Sequence, residues 1–177
     1  MTVDAFKSFS KKQLILLNWW TDSSPYKNRD AIICDGSVRS GKTVCMFLSF
    51  IFWAFYMFSD SSFAVCGKTI TSLRRNIITP MLPMLRSLGF TYEELVSKNM
   101  IIIKKDGREN RFYIFGGKDE GSAALIQGMT LSGVMLDETA LMPRSFCEQA
   151  IARCSVDNSR LWFNCNPENP GHWFYVE

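Results

Sequence analysis

The sequence carries a single histidine, His172, and its six cysteines, at 34, 45, 66, 147, 154 and 165, include no Cys-x-x-Cys pair. Zinc-ligand spacing of the usual kind is therefore missing. Cys34, Cys66 and Cys165 fall in or at the ends of strand-like apolar runs, where a reduced thiol behaves as a small hydrophobe. They are read as reduced, in a cytosolic compartment, and not as a disulfide scaffold. Net charge is also scarce, at +3 over 177 residues. No strong field marks the chain as a nucleic-acid binder, although DNA motors often use local patches that a net charge does not reveal. A membrane span needs about 20 apolar residues. The longest apolar run, Val44 to Phe58 (VCMFLSFIFWAFYMF), falls short of that and reads as a helix buried against a sheet. The N-terminus, MTVDAFKSFSKK, lacks the apolar core of a signal peptide. Internal repeats and low-complexity segments are absent.

What is present is an ordinary globular composition, 47% hydrophobic and 21% charged, in a length that suits one domain. Strand-like and helix-like segments alternate. An amphipathic helix is expected over 5–20, a buried strand at 31–35 and a long helix at 42–58. A second strand is expected at 63–66, then a helix at 70–88 interrupted or kinked by Pro80 and Pro83. MIIIKK (100–105) and RFYIFG (111–116), separated by Asp106-Gly107 and a few polar residues, read as a β-hairpin. A strand at 132–136, a helix at 144–154 and a strand at 161–164 follow. This pattern predicts an α/β fold with a mostly parallel sheet covered by helices on both faces. The hairpin is expected as an antiparallel addition at an edge. The aromatic run Trp173-Phe174-Tyr175 near the chain end is expected to pack against something, and the chain reads as a fragment of a longer protein.

Gly36-Ser37-Val38-Arg39-Ser40-Gly41-Lys42-Thr43 follows an apolar strand and opens a helix. In that context the spacing reads as a phosphate-binding loop. Glycines let the backbone wrap close to phosphate oxygens, and its N–H groups with the helix N-terminus form an anion cradle. Lys42 should reach the β- and γ-phosphates and the Thr43 hydroxyl should bind Mg²⁺. Two other Gly-Lys pairs fail the test: Gly67-Lys68-Thr69 has Ser62 where the first glycine should stand, and Gly117-Lys118 has Phe112.

Leu131 to Glu138 is an apolar strand ending in two acids. Asp137 is expected in the Mg²⁺ shell, and Glu138 near the γ-phosphate, polarising the attacking water. A kinase that transfers phosphate to a substrate hydroxyl needs no water-activating base there, so the pair favours hydrolysis. Phe163-Asn164-Cys165-Asn166-Pro167 ends the next strand, at the same carboxyl end of a parallel sheet. A polar amide there can sense the γ-phosphate; Asn-Pro is equally at home in a plain turn.

Asp35 with the loop after it, IQGMTLSGVMLDE (126–138) and FNCNPENPGHWF (163–174) together resemble the ATPase domain of the large terminase subunit of tailed phages. The resemblance covers nearly the whole chain. It implies a P-loop, helicase-like ATPase using ATP and Mg²⁺ to drive double-stranded DNA into a procapsid. It also implies a ring on the portal protein, a small terminase subunit as partner, and work in the host cytoplasm at the portal vertex. A nuclease domain usually follows in the family, and residues 1–177 are read as the ATPase domain alone, with no nuclease activity. Lys42 and Thr43 match the phosphate-loop positions, Asp137 and Glu138 the two acids. Asn164 to Asn166 match the coupling segment; which Asn meets nucleotide stays open, because the family often has Thr or Gly at the first two positions. Gln13 stands where the family often places an adenine-reading Gln, with an exposed helical Gln as the alternative. Arg39 is expected as the arginine that stabilises transferring charge. Arg74 and Arg75 are either a finger toward a neighbouring subunit or a solvated face. Lys104, Lys105, Arg108 and Arg111 around the hairpin turn either touch DNA or are solvated. Two other readings stand beside this one: a helicase-like DNA-dependent ATPase, and a nucleotide-binding fragment with little turnover by itself.

Overall fold

The computed structural model describes residues 9–36, 41–166 and 172–176, with 175 and 176 described by main chain only. Ser10 opens α1 (Lys11–Asn18). Its hydroxyl accepts from the Gln13 amide at 3.3 Å, while the Gln13 side-chain carbonyl accepts from the Ser10 amide at 2.8 Å. This reciprocal cap satisfies donors that a helix start leaves open. The helix therefore begins at Lys11 and not at residue 5, and residues 5–8 lie outside the described part.

Next come β1 (Ala31–Asp35), α2 (Lys42–Met57), β2 (Ser61–Gly67), α3 (Ile70–Leu73) and α4 (Thr79–Ser87). They are followed by β3 (Thr91–Leu95), β4 (Met100–Lys105), β5 (Arg108–Gly116), β6 (Gly133–Leu136), α5 (Arg144–Ala152), β7 (Arg160–Cys165) and α6 (Trp173–Val176). Between α3 and α4 the helix passes through a π-helical stretch, Arg74–Ile78. Pro80 supplies no amide, and its ring crowds the carbonyl four residues back; one wide turn ahead of it relieves the crowding without ending the helix.

The seven strands form one sheet in the order β1-β7-β6-β2-β5-β4-β3. The five from β1 to β5 in that order are parallel; β4 runs antiparallel to β5, and β3 antiparallel to β4. The hairpin expectation needs a correction here. Asp106 and Gly107 do turn tightly, both at positive φ (50° and 77°). Yet β5 is no edge addition: it pairs in parallel with β2 from Ser61↔Asn110 to Gly67↔Gly116. The turn uses only one edge of β5, and its other edge is free for β2. Only β4 and β3 lie outside the parallel block.

The chain steps outward from β1 to β3 with α2, α3 and α4 on one face, then back from β5 to β7 with α5 on the other. That is the arrangement right-handed crossovers require. On the first face, α2 buries ten of its sixteen residues. Each large apolar side chain so buried contributes about 2 kcal/mol. Trp162 of β7 sits there with its ring centroid 5.0 Å from Trp19 and 4.8 Å from Trp53. The Ser49 hydroxyl, fully buried, accepts from both Trp20 and Trp162 at 3.2 Å. On the second face, Phe146, Cys147 and Ala150 of α5 cover Val134, Leu136 and Phe163. Trp173 and Phe174 of α6 join that cluster, Phe174 lying 5.3 Å from Phe163. All six cysteines are free thiols. Among the described residues no helix is long and apolar enough to cross a membrane.

Candidate nucleotide site

The carboxyl ends of β1, β6 and β7 bring the expected residues to one place. Gly41 caps α2 at φ 76°, a left-handed conformation that a side chain would strain. A Cβ there would also meet Nε2 of the Gln13 side chain at 3.0 Å, so Gln13 of α1 lies directly against Gly41. Ser37, Val38, Arg39 and Ser40 lie outside the described residues.

Lys42 opens α2 and turns back across the strand ends. Its Nζ donates to the Gly36 carbonyl and, at 2.7 Å, to Asn166 Oδ1. Asn164, two residues earlier on β7, donates through Nδ2 to Thr43 Oγ1 at 3.2 Å and to Asp137 Oδ1 at 2.5 Å. The two asparagines thus divide the work: Asn166 touches the lysine, and Asn164 touches the hydroxyl and the carboxylate. Asn164 Oδ1 is buried and accepts from no described residue.

Asp137 is 9% exposed, and burial pushes its carboxyl up to about 6, against the Asn164 hydrogen bond, which favours the charged form. A buried carboxylate of this kind calls for a cation. Asp137 and the Thr43 hydroxyl are oxygens, the donor type that hard Mg²⁺ takes, with water and phosphate completing the shell. The residues present fit the ion. Glu138 follows in the left-handed conformation, φ 52° and ψ 50°, with its side chain exposed. Backbone of that kind costs about 1–3 kcal/mol in a non-glycine residue and clusters at functional sites. Thr139, fully buried, points its hydroxyl at two carbonyls, those of Leu136 and Asn164.

A cavity of about 420 Å³ lies between α1 and β1, walled by Gln13, Ile15, Ile33, Asp35, Gly36 and Lys42 among others. It is the size of a small-ligand pocket, and its apolar walls suit a planar ring. Ile15 and Ile33 are 45% and 55% exposed, and sequence reasoning did not single them out. The only available signal was their position beside the capping Gln13 and the strand that leads to Gly36.

The other basic candidates have internal work. Arg74 pairs with Glu94 of β3 at 3.0 Å, and Arg75 donates to Asn76. Arg108 caps the end of α2 through the Phe55 and Tyr56 carbonyls, at 2.7 and 2.9 Å. Lys105 donates to Leu88 at the end of α4 and lies over the Phe90 ring. Lys104 pairs with Glu109 and Arg111 with Asp60.

Comparison with solved structures gives the large terminase from a thermophilic bacteriophage in complex with ADP. That structure is 53% identical, with TM-score 0.92, covering 96% of this chain and 42% of that one. The same terminase in complex with ATP-γ-S is 51% identical, with TM-score 0.90, over 96% and 41%. This chain thus spans less than half the length of those relatives. The large terminase ATPase domain of a Thermus phage shares the fold at 17% identity, with TM-score 0.62, over 82% of this chain and 62% of that one. Comparison with curated proteins gives no match. The family described as terminase large subunit, T4likevirus-type, N-terminal, matches residues 33–176. The chain belongs to that family, the terminase large subunits, as part of their N-terminal region.

Proposed function

We propose that this chain binds Mg²⁺·ATP at the crevice above β1, β6 and β7 and hydrolyses it as the motor domain of a DNA-packaging terminase. The observation that carries the reading is the Asn164 amide, which draws the Thr43 hydroxyl and the Asp137 carboxylate together beside Lys42. Thr43 and Asp137 would hold Mg²⁺, which supplies charge neutralisation at the phosphates. Lys42 leaves its contacts with Gly36 and Asn166 for phosphate oxygens, so nucleotide arrival frees Asn166. Glu138, exposed and in a left-handed turn, orients and deprotonates the attacking water. Gln13 reads the adenine edge from the cavity beside Gly41, and Arg39 of the loop stabilises the charge that develops on the transferred phosphoryl group. Family membership, and the ADP and ATP-γ-S complexes of the thermophilic phage relative, support this reading.

The same reading makes double-stranded DNA the substrate moved. It makes the portal protein and a small terminase subunit the partners, and a ring of copies at the procapsid vertex in the host cytoplasm the working assembly. A second reading is a fragment that binds nucleotide with little turnover by itself; the engagement of Arg74 and Arg75 within their own chain weighs against a finger toward a neighbouring subunit from those two positions.

The test is Mg²⁺-dependent ATP turnover across a range of chain concentrations, with binding measured by calorimetry. Lys42→Ala should abolish binding. Glu138→Gln should bind normally and lose turnover at least about a hundredfold, the scale of a missing general base. Turnover that rises with concentration supports assembly. Unchanged hydrolysis in Glu138→Gln overturns the assignment.

A further inference from the structure

Thr139 is absent from the phosphate loop, the acidic pair and the asparagine segment. Its hydroxyl is nevertheless placed between the two strand ends on which those groups sit. Oγ1 lies 3.3 Å from the Leu136 carbonyl on β6 and 3.2 Å from the Asn164 carbonyl on β7, and the residue is fully buried. A threonine hydroxyl has one hydrogen to donate. At nearly equal distances, that hydrogen can serve either carbonyl and cannot serve both well.

The two choices have different consequences. Donation to Leu136 closes the short turn in which Glu138 takes its left-handed conformation, since Leu136 and Thr139 flank it. Donation to Asn164 ties the same turn to the strand whose side chains touch Thr43, Asp137 and, through Asn166, Lys42. The Leu136↔Phe163 pair is the last in register between β6 and β7. Beyond it two side-chain hydrogen bonds run between the turn and β7: Asn164 Nδ2 donates to Asp137, on the near side of Glu138, and the Thr139 hydroxyl reaches the Asn164 carbonyl from the far side.

We propose that Thr139 is a positioning residue for hydrolysis. Its hydroxyl exchanges between the Leu136 and Asn164 carbonyls and so sets the Glu138 carboxylate according to the state of the nucleotide-sensing end of β7. This rests on the assignment of Glu138 as the base. A displacement of Asn164 or Asn166 when Lys42 turns to phosphate lengthens one of the two contacts, and the hydrogen goes to the other. Valine at 139 keeps the shape and removes the exchange; serine keeps the hydroxyl.

The test compares Thr139→Val, Thr139→Ser and Glu138→Gln in steady-state ATP hydrolysis and in hydrogen exchange with and without a non-hydrolysable ATP analogue. Thr139→Val is expected to lower kcat about tenfold with KM within about twofold, the pattern of an interaction used only in the transition state, and Thr139→Ser to restore most of it. In the wild type the analogue should change amide exchange at 138–142 and 164–166 together; in Thr139→Val, where the Asn164–Asp137 contact remains, 138–142 should no longer respond. The exchange experiment needs no turnover and reads the tie directly. A Thr139→Val protein with wild-type kcat beside an inactive Glu138→Gln overturns the positioning role and leaves the ATPase reading standing, as does joint exchange behaviour in Thr139→Val. Full activity in Glu138→Gln removes the base, and this proposal with it.

Discussion

Asp137 costs the fold something. Its carboxyl titrates near 6 in the folded chain, where burial raises it from 3.8. The folded state therefore holds its proton more tightly than the unfolded one. The stabilisation this gives is complete below about pH 4, declines as pH rises through about 6, and is gone above it. A shift of about two units corresponds to about 3 kcal/mol. Asp137→Asn should accordingly raise the melting temperature of the nucleotide-free chain at pH 7.5 and flatten its decline between pH 4 and 6, while removing Mg²⁺-dependent turnover. Calorimetric melts across that range decide it; a variant less stable than the parent at pH 7.5 counts against the buried charge as a cost. Lys42, Thr43, Asp137 and Glu138 were legible because their spacing after apolar strands has chemical meaning by itself. The division of labour between Asn164 and Asn166 was not. Two amides separated by one residue point to the same face of a strand, and only the tertiary arrangement decides which meets a lysine and which a carboxylate.

At the scale of elements, β6 depends on close approach. Gly133 begins it, and a Cβ there would lie 2.6 Å from the Trp53 ring of α2 and 3.0 Å from the Arg160 carbonyl of β7. Neither a packed indole nor backbone yields readily. Gly133→Ala should destabilise the chain by about 1–3 kcal/mol, the usual cost of overpacking, with the shift visible in urea unfolding at unchanged m-value. An unaltered midpoint would mean that α2 can move off the sheet. The apolar runs of β2, β6 and β7 could be read from sequence because strands buried on both faces are nearly all apolar; β1 was expected to be buried as well, but it stands at the edge of the sheet with only Cys34 buried. Strand β3, Thr-Tyr-Glu-Glu-Leu, could not: it is an outer strand held to β4 by main-chain pairing, and its side chains are mostly exposed. The start of α1 was misread for a different reason. Apolar periodicity continues upstream, while the Ser10–Gln13 cap, a local hydrogen-bond arrangement, decides where the helix begins.

At the scale of the molecule, alternation of strands and helices foretold a doubly covered, mostly parallel sheet. It did not foretell that β1 stands at one end of the strand order, or that β5 belongs to the parallel block. Those depend on crossover direction and on which edge a turn leaves open. The path out from β1 and back to β7 makes these two strands neighbours whose connections depart to opposite faces. A crevice opens at such a point, at the carboxyl ends of the strands, and Lys42 and Asn166 meet there. Below it, in the same strand as Asn164, lies Trp162 among Trp19, Trp53 and Phe50. The grouping that packs the core is therefore also an optical gauge. Its indoles exchange excitation at contact range, so emission registers small displacements of β7 without any added dye. Nucleotide binding should change the intrinsic fluorescence of the chain, and Trp162→Phe should abolish most of that change while Trp173, on the opposite face, remains. A signal that survives in Trp162→Phe would place the motion elsewhere.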